Sequence, residues 1–307
     1  MRAFTVQLDA HGERLDRALA GVVPEFSRSY VQQLIDQGAV TLGGRVVTRS
    51  AHRVKAGDAG AIELRPTPQS QAFKPEPVPI DVVYEDEHLL VADKPAGLVV
   101  HPAAGNWSGT LLNGLLARDP QAAALPRAGI VHRLDKDTSG LMVVARTRAA
   151  MDALVRMIAA RDVSRQYLAL AHRQWQGAAT RTVDAPIGRD PRNRLRMAVV
   201  DSGKPAVTSF ELLCNASAGC FVRASLHTGR THQIRVHMAH IGHPLVADVL
   251  YGGTHAAGLT RQALHAFRLA FVHPVTGVSL EFHAPLPADL RLALTAWSVR
   301  YNDFERP

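Results

Sequence analysis

The stretch HRLDKDTSGLMVVAR, from His132 to Arg146, carries the strongest fold signal in this sequence. Its second half, Leu141 to Ala145, is a short apolar run bounded by polar residues, which predicts a buried strand. Its first half places Asp135 and Asp137 on either side of a lysine, and Thr138-Ser139-Gly140 predicts the turn that leads into the strand. The stretch is therefore either a polar turn feeding a strand or a carboxylate held at the edge of a sheet, facing an anionic partner.

Strand and helix patterns alternate irregularly on both sides of this stretch. Because they do not follow a regular βαβ spacing, they predict an α+β domain with a mixed, mostly antiparallel central sheet and flanking helices. The strand patterns are DVVYEDEHLLVADK (81–94, two strands), SRQYLALAH (164–172), FELLC (210–214), FVRASLHT (221–228) and VSLEFHAPLP (278–287), and the helix patterns are TLLNGLLAR (110–118) and RAAMDALVRMIAARD (148–162).

The N-terminal 64 residues form a separate pattern, with two short helices followed by a small sheet. Ser27 or Ser29 can cap the second helix, Ser29 with Gln32 as a capping box. Gly43-Gly44 suits the tight turn of a hairpin. The proline-rich residues 65–78 predict an extended linker. The sequence thus predicts a small unit at 1–64, a linker at 65–78 and a larger domain at 79–307.

Composition narrows the class of protein. The chain has 307 residues, of which 47% are hydrophobic and 20% charged, as in globular proteins. No apolar run approaches the roughly 20 residues of a membrane span, and the N-terminus lacks the apolar core of a signal peptide. Cys214 and Cys220 lack a metal-type spacing and fit a reducing compartment. We therefore expect a cytoplasmic protein that does not bind membranes.

The charge is uneven and points to a polyanionic partner. The net charge is +8, and residues 133–204 hold fourteen Lys/Arg against seven Asp/Glu, whereas residues 1–64 hold eight against seven. The densest part is RDPRNRLR, residues 189–196. A solvated surface run is the simpler explanation of that segment taken alone.

The stretch from Leu226 to Asp248 is rich in histidine. Positions 237, 240 and 243 drift around a helix, and no cysteine set lies nearby, so we expect no metal site. Arg230 and Arg235 bracket His232-Gln233 and form a basic, hydrogen-bonding segment suited to phosphates and base edges. Its five histidines are His227, His232, His237, His240 and His243.

The two aspartates of the opening stretch are a poor acid–base pair. In an extended segment Asp135 and Asp137 point in opposite directions, so one of them at most acts on a given bond. Ser139 lacks the G-x-S-x-G context of a hydrolase serine. No P-loop or dinucleotide fingerprint occurs, so we expect no nucleotide cofactor.

Four stretches in order resemble the RluA family of RNA pseudouridine synthases, over about residues 79–290. The N-terminal unit resembles an S4 RNA-binding domain, through Arg14-Leu15-Asp16, Ser27-Arg28, Gly38, Gly44 and Gly57-Asp58. Length and the S4-like unit are similar to those of members that act on large-subunit ribosomal RNA, type D above all. The four stretches are Asp93–Leu98 with His101-Pro102, His132–Leu141, Arg165–Ala169 (glutamine at 166, where lysine is common) and Gly229–His237.

The resemblance implies the pseudouridine synthase fold and a reaction without cofactor. Uracil is cut from C1′ at N1, turned over and rejoined through C5. Asp135 is the implied catalytic aspartate, either attacking C1′ or removing a ribose proton to give a glycal. Arg235 is its implied partner and keeps the carboxylate ionised. Tyr167 is implied to stack on the uracil, with its hydroxyl placed for removal of the C5 proton.

The remaining expectations concern RNA. We expect a monomer that binds a large-subunit ribosomal RNA precursor and takes a uridine from a loop or single strand. The alternatives are a non-catalytic RNA-binding assembly factor and an RNA N-glycosidase that uses Asp137 as a second carboxylate. The expected RNA contacts are Arg28 and Arg45 in the S4-like unit, and Arg133, Arg189, Arg192, Arg194, Arg196, Arg230, His232 and Gln233 in the larger domain.

Overall fold

The computed structural model describes residues 1–65 and 72–301 and divides into two units, Met1–Ala72 and Phe73–Pro307. Residues 66–71 of the predicted linker lie outside the described residues, and the limits predicted for that linker stay a prediction. Within the described ranges, no helix has both the length and the apolar character that a membrane span requires.

The first unit packs two helices against a four-stranded antiparallel sheet. Ser27, not Ser29, caps the second helix by accepting a hydrogen bond from the Tyr30 amide. Gly43 and Gly44 have φ of 53° and 75°, as the predicted hairpin turn needs. The elements are β1 (Arg2–Thr5), α1 (Leu15–Val22), α2 (Arg28–Asp36), β2 (Val40–Leu42), β3 (Arg45–Val46) and β4 (Ala59–Ile62), in the sheet order β1-β4-β2-β3.

A buried aspartate ties the two helices of this unit together. Asp16 is fully buried and accepts hydrogen bonds from Arg14, Arg28 and Gln32. Burial opposes its ionisation, but these three partners hold the pKa of Asp16 well below its usual range. The capping box predicted between Ser29 and Gln32 is therefore wrong, because the Gln32 amide donates to Asp16.

The second unit is built on one large sheet, in the order β5-β6-β7-β14-β8-β13-β12-β9, with β15 beside β14. Every pairing in it is antiparallel except β7 with β14, which confirms the predicted mixed, mostly antiparallel sheet. A separate hairpin, β10–β11, follows β9. The strands are β5 (Asp81–Glu85), β6 (Leu89–Lys94), β7 (Ser139–Ala145), β8 (Ser164–His172), β9 (Thr180–Asp184), β10 (Ile187–Arg189), β11 (Met197–Val199), β12 (Val207–Asn215), β13 (Gly219–Leu226), β14 (Leu264–Val272) and β15 (Ser279–His283).

Helices cover both faces of this sheet. On β7, Met142 and Val144 face one core, whereas Leu141, Val143 and Ala145 face another. Burial on both faces explains why this run is apolar without alternation. The helices are α3 (Leu111–Arg118) and α5 (Gln233–His240) on the first side, α4 (Arg148–Ala160) and α6 (Ala288–Ala296) on the second, with short 3₁₀ turns at Leu8–Ala10, Pro120–Ala124, Pro126–Gly129 and Val249–Tyr251.

The turn before β7 lies earlier than predicted. The Thr138 amide donates to the Asp135 carbonyl at 3.1 Å, so the turn spans 135–138, and Ser139 and Gly140 already pair with β14. Gly140 has φ of 113°, and a Cβ on it would lie 2.2 Å from the Ala266 carbonyl oxygen. Glycine at this position therefore lets β14 lie close against the start of β7.

An acidic pair across β5 and β6 leads to a pH-dependent stability prediction. Asp81 and Asp93 are directly opposite in the register. Burial, with the Asp81 charge, raises the pKa of Asp93 to about 6. The folded chain therefore binds this proton more tightly than the unfolded chain, and stability falls as pH rises from about 4 through 6. We expect Asp93→Asn to raise the free energy of unfolding by ~1 kcal/mol at pH 8 and hardly at all at pH 4.5.

Urea unfolding of both proteins at the two pH values measures this difference. Asp81→Asn is the matched control, since it removes the repulsion but leaves the burial of Asp93. A pH-independent effect of Asp93→Asn contradicts the assignment of the raised pKa to this residue.

Candidate active site

A cleft of about 550 Å³ opens beside Asp135 in the second unit. It is lined by the segment before β7, the end of α4, the start of β8 and the loop from β13 to α5. Asp135 is the one carboxylate among its described lining residues. Six arginines line the same cleft, so its field is strongly positive: Arg127, Arg133, Arg161, Arg165, Arg230 and Arg235.

Arg235 lies between two carboxylates and joins them. Its Nη1 donates to Asp135 Oδ2 at 3.0 Å. Its Nε and Nη2 donate to the two oxygens of Asp248 at 2.7 and 2.8 Å. Burial works against the charge of Arg235, but Asp248 and Asp135 outweigh it and hold the pKa of the guanidinium above its ordinary value. Asp248, almost fully buried, thus fixes the fork that presents Nη1 to Asp135.

The backbone just after Asp135 is held by two further cations. The buried Lys94 ammonium donates to the carbonyls of Pro95, Leu98 and Lys136 at 2.8–2.9 Å. Arg261 Nη1 donates to the Asp137 carbonyl at 3.0 Å. These bonds leave the turn little freedom, so Asp135 is presented to the cleft from a rigid support. The Asp137 side chain is not among the described residues that line the cleft.

Tyr167 lies in the cleft on β8 and is buried. Burial raises the pKa of Tyr167 to about 12; Arg165 opposes this shift and Asp135 adds to it. The phenol is therefore protonated at neutral pH and is a hydrogen-bond donor, not a base. Its ring is suited to stacking on a base.

His232 faces Asp135 from the start of α5. Its Nδ1 lies 2.8 Å from the Tyr251 hydroxyl, which also accepts from the Met197 amide at 3.0 Å. Burial lowers the pKa of His232, which favours the neutral ring. Its Nε2 lies 3.8 Å from Asp135 Oδ1. The Arg235 guanidinium lies 5.0 Å from the centre of the Tyr251 ring.

Gln233, which was predicted to contact RNA, lines the cleft with its side chain committed to hydrogen bonds inside the loop. Its side chain is buried, and its amide nitrogen donates to the Val207 carbonyl and the Thr208 hydroxyl. Its oxygen accepts from the Thr228 hydroxyl and the Arg230 amide. Because these four bonds use its full capacity, Gln233 holds the loop together.

The other predicted RNA contacts lie in three places. Arg133 and Arg230 line the cleft. Arg28 donates to Asp16, and Arg45 is exposed on β3. The four arginines of the β10–β11 hairpin are not among the described cleft residues: Arg189 donates to the Arg194 carbonyl at 2.7 Å, Arg196 pairs with Asp190, and Arg192 and Arg194 are exposed.

The histidines of the 226–248 stretch have separate surroundings. His237 is buried between the Thr208 hydroxyl and the Ala185 carbonyl, and His243 stacks on Trp175. His227 bonds the Ser209 hydroxyl and His240 is exposed. Among the described residues, no three histidine, cysteine or acidic side chains converge in a way that could hold a metal ion.

Five residues that shape this site were not singled out from the sequence. All but Arg261 lie inside or just after the motifs that were quoted, so proximity to those motifs was the available signal for them. They are Lys94, Arg165, Asp248, Tyr251 and Arg261.

Two segments of the chain match known families. Residues 88–240 match the family described as RNA pseudouridylate synthase. Residues 13–59 match the S4 domain.

Several curated relatives carry the name ribosomal large subunit pseudouridine synthase D. The chain is 48% identical to the one from Neisseria meningitidis serogroup B over 301 residues, covering 94% of this chain and 79% of the relative. It is 49% identical to the one from Xylella fastidiosa over 308 residues, covering 96% and 92%. It is 45% identical to the one from Escherichia coli K12 over 299 residues, covering 93% and 91%.

Solved structures share the fold. Human RNA pseudouridylate synthase domain containing 1 has a TM-score of 0.55 at 29% identity, covering 69% of this chain and 85% of that one. Human RNA pseudouridylate synthase domain containing 4 has a TM-score of 0.56 at 21% identity, covering 72% and 94%. The predicted fold is confirmed.

Proposed function

This chain belongs to the RNA pseudouridylate synthase family, and we propose that it isomerises specific uridines of large-subunit ribosomal RNA to pseudouridine, with Asp135 as the catalytic carboxylate. The observation that carries the proposal is the position of Asp135 as the one carboxylate among the described residues of an arginine-lined cleft, paired with Arg235. Such a cleft attracts a polyanion and offers one anionic side chain for chemistry.

The reaction moves one bond without redox change or hydrolysis. The bond between C1′ and N1 breaks, the uracil turns over, and a bond forms between C1′ and C5. The proton on C5 is lost and N1 gains one. Asp135 either attacks C1′ or removes a ribose proton to give a glycal, and both routes need a carboxylate held in place, which the hydrogen bond from Arg235 provides.

Tyr167 and His232 support this chemistry in different ways. The Tyr167 ring is placed to stack on a uracil extruded from the RNA, which offsets part of the few kcal/mol that unstacking costs. Its protonated phenol favours this stacking role over that of a general base. His232 places its Nε2 beside Asp135, where this ring nitrogen can form a hydrogen bond with the nucleotide.

The proposal extends to three finer points. The substrate is a large-subunit precursor RNA, the protein acts as a monomer, and it works in the cytoplasm. The S4 domain, with Arg28 and Arg45, orients the RNA. The molar mass of the free protein and of its RNA complex, measured by light scattering, tests whether the protein is a monomer.

The RNA N-glycosidase is less well supported. It needs a second carboxylate to activate water, and Asp137 does not line the cleft in the described residues. A non-catalytic assembly factor has no need of a carboxylate and guanidinium held this rigidly.

Release of tritium from ribosomal RNA labelled at uracil C5 tests the proposed reaction. We expect one tritium released per pseudouridine formed and no free uracil. Free uracil would instead identify a glycosidase. If neither tritium nor uracil is released, the non-catalytic assembly factor is the explanation that remains. Mapping pseudouridines in ribosomal RNA from cells with and without the gene identifies the positions.

The β10–β11 hairpin leads to a salt-dependence prediction. Arg192 and Arg194 are exposed, and no acidic side chain among the described residues pairs with them. If both contact phosphate, Arg192→Gln with Arg194→Gln will weaken RNA binding and reduce the slope of log Kd against log salt by about 2. The maximal rate of modification will stay unchanged.

Filter binding between 50 and 300 mM salt measures that slope. The control pair is Arg291→Gln with Arg300→Gln, which removes the same charge from exposed positions elsewhere. An equal effect of both pairs would show that only the net charge matters and that the hairpin has no particular contact with RNA.

A further inference from the structure

One buried arginine of the cleft has no hydrogen-bond or ion-pair partner among the described residues. Arg165, on β8, is 6% exposed and lines the cleft with Asp135. Its Nε is buried and makes no hydrogen bond, and within the described ranges no carboxylate pairs with its guanidinium. Arg235, in the same cleft, is held by two carboxylates. The two arginines therefore serve different purposes, since an unpaired buried charge is costly and rare.

The loop beside Arg165 leaves room for the guanidinium and keeps it in place. A Cβ on Gly229 would lie 3.0 Å from Arg165 Nη1, so any side chain there would force the guanidinium to move. Gly229 does not have a positive φ, so space, not backbone conformation, is what glycine provides.

The neighbours of Arg165 are neutral. His132 is half-buried, and desolvation, with the Arg165 charge, lowers its pKa to about 3. Tyr167 is protonated for the reasons given above. Neither of these two side chains therefore balances the charge of Arg165, whereas an anion that enters the cleft can.

We propose that Arg165 binds a phosphate of the uridine nucleotide that is being isomerised, through the part of its guanidinium that lines the cleft. The inference rests on the proposed function and specifies how the target nucleotide is held. A phosphodiester carries a permanent charge and accepts the paired N–H groups of arginine, whereas uracil offers only neutral carbonyl oxygens before its glycosidic bond breaks.

The position on the strand fits this assignment. Arg165 and Tyr167 are alternate residues of β8, so they face the same side and their Cα atoms are about 6.6 Å apart. Tyr167 would hold the base and Arg165 the backbone of one extruded nucleotide.

Binding and chemistry must be measured separately to test this. The proteins are the full-length chain, Arg165→Gln, Arg165→Lys and the control Arg291→Gln, each with a large-subunit ribosomal RNA transcript. We expect Arg165→Gln to raise the Kd by at least about 30-fold and to leave the single-turnover rate at saturating RNA within about threefold. Arg165→Lys will be intermediate, and the control will match the wild type.

Small competitors separate the phosphate from the base. Uridine 5′-monophosphate and uridine 3′-monophosphate are compared with uridine as inhibitors of transcript binding. We expect at least one monophosphate to inhibit the wild type more strongly than uridine does, and this difference to disappear in Arg165→Gln.

Three results overturn the proposal. If Arg165→Gln leaves the Kd unchanged and lowers the rate at saturating RNA, the guanidinium contacts the departing uracil and not a phosphate. Equal inhibition by uridine and both monophosphates shows that Arg165 does not bind a phosphate. A lower Tm of Arg165→Gln shows a structural role, since loss of an unpaired buried cation should leave stability unchanged or raise it. If the wild type makes no pseudouridine, the proposed function fails, while the inhibitor comparison still tests the phosphate site.

Discussion

Replacing Asp135 by asparagine will abolish pseudouridine formation, with a loss of at least about 10⁴-fold, as when a residue that reacts directly with substrate is removed. Asparagine keeps the shape and the hydrogen-bonding oxygen of the side chain. It cannot form the bond to C1′ as an acylal-type carboxylate does, nor accept a ribose proton at neutral pH. Both chemical routes therefore fail in the same variant.

The same variant will fold and bind RNA. Arg235 keeps its two bonds to Asp248 when Asp135 is neutral, so no buried charge loses its only partner. We expect the free energy of unfolding to change by less than ~1 kcal/mol. Loss of one negative charge from an arginine-rich cleft will, if anything, tighten the RNA complex.

Single-turnover assays and filter binding on the same transcript measure the two effects. Asp137→Asn is the matched control, two residues away and outside the described cleft lining, and should remain active. Turnover by Asp135→Asn within tenfold of the wild type would falsify the catalytic role. Loss of activity in Asp137→Asn alone would move that role to the neighbouring carboxylate.

Replacing Arg235 by methionine will damage both activity and stability. Two carboxylates, one of them almost fully buried, lose their shared cation. Removing one partner of a buried ion pair costs about 3–5 kcal/mol. Activity should fall by about 10³-fold even at temperatures where the variant is folded, because Asp135 is no longer oriented by the guanidinium.

A double-mutant cycle with Asp248→Asn tests whether the loss of stability comes from leaving Asp248 without its cation. Each single change leaves an uncompensated buried group, whereas Arg235→Met with Asp248→Asn removes both. We expect the double variant to recover at least ~1 kcal/mol of unfolding free energy relative to the sum of the two single changes, without recovering activity. Strict additivity in urea unfolding would show that Asp248 does not hold Arg235.

The sequence predicted the local elements of the catalytic unit well. The pattern SRQYLALAH is β8 from its first to its last residue, and RAAMDALVRMIAARD contains α4. These segments have clear periodicity. The start of β7 was misplaced, because Ser139 and Gly140 are polar or small and become strand only through pairing with β14, more than a hundred residues later.

The site shows the same division between local and distant information. Spacing alone could not choose between Asp135 and Asp137, nor connect either to an arginine 100 residues away. The resemblance to a family named that arginine. The resemblance did not name Asp248. Arg235 bonds Asp135 and Asp248 at the same time, and this double pairing can be seen only in the three-dimensional structure. The sequence also did not show that the Gln233 side chain bonds its own loop, because a polar residue in a basic motif looks the same whether it faces a partner or the backbone.

The place of β14 in the sheet has a consequence for how the protein matures. It lies between β7 and β8, although it follows β8 by some ninety residues and is among the last strands to be synthesised. Until it arrives, the strands made earlier form two unconnected halves, and the Asp135 turn lacks both Arg261 and its neighbouring strand. Chains that emerge from the ribosome N-terminus first therefore remain catalytically silent until translation is nearly complete. A chain truncated before residue 264 should keep a folded S4 domain and yet never assemble an active centre.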